Sequence, residues 1–194
     1  MFYQFIVLIA TILAHLGFRY KVTGKENIPK DGAFLLCANH IHALDPVIVA
    51  VFSPRRLHFM GKKELFKRPA VRVFFQSLGA FPVDRGATDM QAYRKTMELL
   101  KNGKGLLIFS QGTRMKDFEN AKSGVAVFAL KSGAPIVPVG IRGSYRFMSK
   151  IHIHIGEPIS MEKYKGQKVK SELVDEVMNV VTERILALTK VDSK

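Results

Sequence analysis

Ala33-Phe34-Leu35-Leu36-Cys37-Ala38 is an unbroken apolar run, and Asn39-His40-Ile41-His42-Ala43-Leu44-Asp45-Pro46 follows it directly. An apolar run with no polar alternation reads as a strand buried on both faces, as in the middle of a parallel sheet. The polar stretch behind it sets a histidine and a carboxylate at the strand's carboxyl end, where open α/β sheets gather their chemistry.

Further runs repeat this pattern outward. Leu106-Leu107-Ile108-Phe109 is a second buried strand, and residues 135–141 form a third. Tyr20-Lys21-Val22-Thr23-Gly24, residues 57–60 and residues 80–83 read as shorter strands. Ile151-His152-Ile153-His154-Ile155 alternates as a half-exposed strand does. Between them lie helical patterns. Asp45-Pro46 predicts a helix start, a capping residue followed by proline. Residues 62–77 read as one or two helices broken around Arg68-Pro69. Thr88-Asp89-Met90-Gln91 matches a capping box ahead of Met90, Tyr93, Met97 and Leu100 at helical spacing. Residues 125–130 continue as helix, and Val169, Leu173, Val177, Val181 and Leu188 predict a C-terminal amphipathic helix. Strands alternating with helices indicate an α/β fold with a mixed, largely parallel sheet flanked by helices. No repeat or linker divides residues 19–194, which are expected to form a single domain.

The chain has 194 residues, enough for one domain with a real core, and 47% of them are hydrophobic, too many for disorder. Thirty lysines and arginines against sixteen acids give a formal net charge of +14. Such a surface suits nucleic acid, an anionic membrane or phosphorylated substrates. Zinc-finger spacing, an aromatic RNA-binding strand motif and a basic low-complexity arm are all missing, so nucleic acid is not an expected partner. The single cysteine, Cys37, lies in the apolar run and reads as a buried thiol in a reducing compartment.

Residues 1–18 contain no Asp, Glu, Lys or Arg, and Arg19 and Lys21 follow at once. A spanning helix needs about 20 apolar residues; this stretch is slightly short and carries Gln4, Thr11 and His15. No basic residue precedes it, as a secretory signal would require. It can lie in the interface, span once or pack as a core helix. The favoured expectation is an N-terminal hydrophobic membrane-associating helix, a monotopic anchor beside an anionic membrane surface.

His40 offers an imidazole, which can take a proton from an alcohol. Asp45 can hold the other ring nitrogen if a non-helical turn brings it back; otherwise it only caps the next helix. His42 reads as a bystander. Downstream, Phe109-Ser110-Gln111-Gly112-Thr113-Arg114 offers a glycine that lets backbone amides approach a ligand and a guanidinium fork suited to phosphate. Arg85 closes another strand-then-loop unit, Thr113 adds a hydroxyl and Lys104 is a further candidate cation. His152 and His154 lack the carboxylate or cysteine partners of a zinc site, so no metal is expected. The chain has neither a G-x-S-x-G elbow nor a phosphate-binding P-loop.

Asn39, His40 and Asp45, then Gly79-Ala80-Phe81-Pro82-Val83-Asp84-Arg85, then Phe109 to Arg114, then Ile136-Val137-Pro138-Val139 resemble, in order, the four blocks of the glycerolipid acyltransferase family, in particular the bacterial 1-acyl-glycerol-3-phosphate acyltransferases. The resemblance implies His40 as general base, Asp45 as its partner, and Arg85, Gly112 and Arg114 as the acceptor-phosphate site, with Gln111 at a position the family uses for acceptor binding; Thr113 and Lys104 join the phosphate and acceptor candidates on their chemistry alone. Gln111 departs from the family's usual Glu, keeping size and hydrogen bonding without the charge.

On this resemblance, the expected reaction moves a fatty acyl group from acyl-CoA or acyl carrier protein to the sn-2 hydroxyl of lysophosphatidic acid. The product is phosphatidic acid for phospholipid biosynthesis, made on the cytoplasmic face of the membrane with no cofactor beyond the acyl co-substrate. The alternatives are acylation of another lysophospholipid or of glycerol 3-phosphate, a thioesterase, and a non-catalytic lipid-binding membrane protein that keeps the fold.

Overall fold

The three apolar runs lie side by side in one seven-stranded sheet. The structure is a computed structural model and describes residues 17–84, 89–111 and 118–191, with the side chains of all of these except 110, 111 and 118–123. In chain order the elements are β1 (Arg19–Thr23), β2 (Phe34–Asn39), α1 (Asp45–Phe52), β3 (Leu57–Lys62), α2 (Pro69–Ser77) and β4 (Ala80–Val83). They continue with α3 (Met90–Lys101), β5 (Gly105–Gln111), α4 (Phe118–Ser132), β6 (Ile136–Gly143), β7 (Lys150–Ile155) and α5 (Ser171–Lys190).

The sheet order is β1-β7-β6-β2-β5-β3-β4. Every neighbouring pair is parallel except β6 with β7. The fold is thus α/β with a mixed, largely parallel sheet flanked by helices, as the sequence pattern predicts. The carboxyl ends of β2, β3, β4, β5 and β6 all meet at one end of the sheet. β7 starts there, and so does its parallel partner β1.

The position of β2 explains its unbroken apolar run. Phe34, Leu36 and Ala38 pack on one face with Ile48, Val49, Leu57 and Phe66, the side covered by α1 and the 63–77 segment. Leu35 and Cys37 pack on the other face with residues of α3, α4 and α5. Leu35 and Leu36 are both fully buried, each contributing about 1.5–3 kcal/mol. At the amino end of the sheet Arg55 acts as a staple. Its guanidinium donates to the carbonyls of Pro29, Gly32 and Gly103, each at 2.9 Å, and lies over the Phe34 ring.

Some local expectations change. Asp89 caps α3, its Oδ1 accepting from the amides of Gln91 (3.0 Å) and Ala92 (2.9 Å), and Thr88, which opens the expected capping box, lies outside the described residues. β7 is more buried than its alternation implies, because His154 is covered and bonds Thr23 Oγ1 at 2.8 Å. The buried stripe of α5 is Val174, Val177, Met178, Val181 and Ile185; Val169 precedes the helix and is exposed. Among the described residues no helix is long and apolar enough to cross a membrane, and residues 1–16 lie outside them.

Candidate active site

Two devices end β2 and free the chain to turn at His40. Backbone pairing with β6 reaches Ala38 and Val139, after which the Asn39 side chain takes over the ladder. Its Nδ2 donates to Ile141 O at 2.8 Å, and Ile141 N donates back to its Oδ1 at 2.7 Å. On the other flank Ala38 faces Phe109 and Asn39 faces Gln111, so Ser110 is an extra residue in β5. A bulge of this kind commonly re-aims a strand beside an active site.

Residues 40–44 then fold into a non-helical turn, with Asp45 N donating to His42 O at 3.0 Å. The turn carries Asp45 back under the imidazole, and His40 Nδ1 lies 2.8 Å from Asp45 Oδ2. The same oxygen accepts from the amides of Ile41 (2.7 Å) and His42 (2.8 Å). Asp45 therefore does not cap α1 as predicted. It turns to the preceding loop, and Leu44 takes the cap position without a side-chain bond. Four donors, counting Tyr145, satisfy a fully buried carboxylate whose desolvation would otherwise be costly. The carboxylate only accepts, so the ring proton belongs on Nδ1 and Nε2 carries the lone pair. The His40 ring rests on Phe109 at a centroid distance of 4.5 Å and is 32% exposed.

Tyr145 is the residue that motif spacing missed. Its hydroxyl donates to Asp45 Oδ1, and its ring stacks on His42 at 4.2 Å and 17°. His42 is therefore no bystander; it braces Tyr145, and its Nδ1 accepts from Leu44 N at 3.3 Å. Phe18 packs edge-on against Tyr145 at 5.5 Å, and Tyr20 packs against Phe52 at 5.1 Å, so an aromatic wall shields the carboxylate from water. Burial first, then the hydrogen bond and charge of Asp45, holds the Tyr145 hydroxyl far above the usual phenol range. Burial and the Asp45 charge push Tyr20 up to about 12. Tyr145 is 100 residues from Asp45 in sequence, and its only signal is a tyrosine just past the end of a strand.

The remaining sequence candidates divide by position. The Gln111 backbone stands opposite Asn39, at the His40 end of the sheet, and its side chain is not described. Gly112, Thr113 and Arg114 follow it and lie outside the described residues, as does Arg85. β4, which precedes Arg85, is three strands from β2, roughly 14 Å. Lys104 is a correction. It precedes β5 at the amino end of the sheet, while His40 follows β2 at the carboxyl end, a separation of roughly 20 Å along parallel strands. It cannot share a pocket with His40. Among the described residues no group of three or more metal-ligating side chains occurs.

Comparison with known proteins gives this geometry a family. A family model described as Acyltransferase matches residues 19–142. The chain is 30% identical over 177 residues to a 1-acyl-sn-glycerol-3-phosphate acyltransferase of Bacillus subtilis, covering 88% of this chain and 89% of that enzyme. It is 28% identical to the Borreliella burgdorferi enzyme of the same name, covering 84% of this chain and 71% of that one. The crystal structure of the 1-acyl-sn-glycerophosphate acyltransferase PlsC from Thermotoga maritima superposes with a TM-score of 0.73 at 30% identity, covering 99% of this chain and 81% of that one. The chain belongs to the acyltransferase family and is an O-acyltransferase similar to the bacterial 1-acyl-sn-glycerol-3-phosphate acyltransferases.

Proposed function

We propose that this chain transfers a fatty acyl group from an acyl thioester, on coenzyme A or acyl carrier protein, to the sn-2 hydroxyl of lysophosphatidic acid, giving phosphatidic acid. The His40–Asp45 hydrogen bond carries the reading, because it leaves Nε2 of a half-buried imidazole as a proton acceptor. Nε2 takes the hydroxyl proton as the oxygen attacks the thioester carbonyl. Asp45, held by its four donors, stabilises the imidazolium that forms. The tetrahedral intermediate collapses, the carbon–sulfur bond breaks, and the thiolate leaves with the proton returned by His40. Backbone amides near residue 112 are the candidate oxyanion donors.

In this reading Arg85, Gly112, Thr113 and Arg114 hold the acceptor phosphate. Support comes from the parallel strands, since the chain leaving β5 at Gln111 does so beside Asn39 and His40. Residues 1–18 anchor the enzyme on the cytoplasmic face of an anionic membrane, where its amphiphilic acceptor resides. Gln111, neutral where the family usually has a carboxylate, favours one second reading: acylation of another lysophospholipid or of glycerol 3-phosphate. A panel of acceptors with one acyl-CoA, run with wild type and Gln111→Glu, separates the two.

The deciding experiment is thiol release from acyl-CoA by purified protein, with and without lysophosphatidic acid, for wild type and His40→Ala. Acceptor-dependent release that vanishes in His40→Ala is expected. Release without acceptor would make the chain a thioesterase, and lipid binding with no turnover would make it a non-catalytic lipid-binding protein.

A further inference from the structure

The end of the sheet that carries His40 also carries exposed apolar side chains. Phe147 is 80% exposed and Met148 46%, at the tip of the β6–β7 turn; Ile41 at 40% and Leu44 at 38% flank His42. The His42–Tyr145 stack joins these two loops, so all four residues belong to loops at the His40 end of the sheet. Exposed apolar residues scattered singly need no explanation. Two adjacent ones at a fixed hairpin tip, with two more beside them, do.

The tip is held in place. Met148 adopts a left-handed backbone conformation, φ 60°, which costs a side-chain-bearing residue energy and is seldom used without support. Its amide donates to Gly17 O at 2.8 Å, and Arg19 N donates to Ser149 O at 2.9 Å. These bonds tie the turn to the point where the apolar stretch 1–18 joins β1. The local charge has one sign. Arg19, Arg146 and Lys150 are exposed, and residues 17–23 and 142–155 contain no Asp or Glu.

We propose that the 144–149 turn is a membrane-contact element. Phe147 and Met148 enter the interfacial layer of an anionic bilayer, and Arg146 and Lys150 meet its phosphates. Apolar side chains between cations are the chemistry by which interfacial segments bind such a surface. The contact orients the sheet with its His40 end toward the lipid, so an acceptor's hydroxyl can reach Nε2 while its chain stays in the bilayer. For that consequence the inference rests on the proposed acceptor.

The chain has no tryptophan, so a single reporter can be placed in the full-length protein. F147W emission should shift to shorter wavelength on adding phosphatidylcholine–phosphatidylglycerol vesicles and should be quenched by lipids brominated in the acyl chain. K101W, exposed at the opposite end of the sheet, should do neither. In the F147W background, R146Q/K150Q should reduce the preference for anionic over zwitterionic vesicles by on the order of tenfold. An F147W spectrum unchanged by vesicles would overturn the proposal, and a shift produced only by acyl carrier protein would overturn it in favour of a protein partner. Thiol release on the same samples keeps the two readings apart: insertion without acyl transfer would sink the proposed function and leave the membrane contact standing.

Discussion

Replacing Asp45 with Asn removes one charge from a site that is otherwise able to accommodate the change. Among the described residues three donors converge on Oδ2, from His40 Nδ1, Ile41 N and His42 N, while Oδ1 takes the Tyr145 hydroxyl. The asparagine oxygen therefore belongs in the Oδ2 position, and its amide faces a hydroxyl that can rotate to accept. Stability should change little, and the ring keeps its tautomer. What is lost is the counter-charge to the imidazolium. A hydrogen bond to a neutral acceptor is weaker than one to a carboxylate by about 1–2 kcal/mol, and a pair of charges about 4 Å apart in a partly shielded site interacts by up to ~4 kcal/mol. The expected loss is about 2–4 kcal/mol of transition-state stabilisation, or roughly 30- to 1,000-fold in kcat/KM. Thiol release at varied lysophosphatidic acid measures it, with thermal melting as the control for folding. Asp45→Ala supplies the contrast: it strands the Ile41 and His42 amides and the Tyr145 hydroxyl, costing at least about 3 kcal/mol of stability, near 10 °C in Tm. An Asp45→Asn enzyme within about threefold of wild type, under ~0.7 kcal/mol, would refute the assignment of Asp45 as the electrostatic partner of His40.

Tyr145→Phe keeps the stack on His42 and removes one donor to Asp45; kcat should fall about tenfold with acceptor KM nearly unchanged, and Tyr145→Ala should fall further as the loop loses its brace. Asn39→Ala leaves both backbone groups of Ile141 unpaired in a buried position and should cost about 2–4 kcal/mol in denaturant unfolding. Asp89→Ala removes the cap of α3 and should cost about 1 kcal/mol at neutral pH. Hydrogen bonds from the Asp84, Ala92 and Gln91 amides hold the Asp89 carboxyl below its ordinary value, so its contribution is present above the unfolded carboxylate pKa. It is lost as pH falls through the lower folded one, and the gap between wild type and Asp89→Ala should close with acidification. Gly79→Ala should destabilise strongly: Gly79 has φ +96°, and an added Cβ would meet the carbonyl oxygen of Leu57 at 2.2 Å, which thermal melting will register.

The sequence alone determined the layers of this protein and the location of its chemistry. Buried runs such as 33–38 and 106–109 read as central strands, because a strand covered on both faces has no polar alternation and runs this short, bounded by turn residues, fit strands better than helices. A histidine immediately beyond such a run must then sit at the carboxyl end of the sheet. Local pattern also located β4 and the break before Pro69, since proline and glycine act on their own neighbours. Tertiary structure alone decided what surrounds His40. The turn that returns Asp45 to the imidazole is closed by local bonds that no sequence period announces, whereas the Asn39 clamp on Ile141 and Tyr145 arriving from 100 residues away depend on which strands are neighbours. Lys104 marks the same limit. Two residues near in the sequence map of motifs lie at opposite ends of parallel strands, because the direction of a strand, not its composition, decides which of its ends faces the substrate.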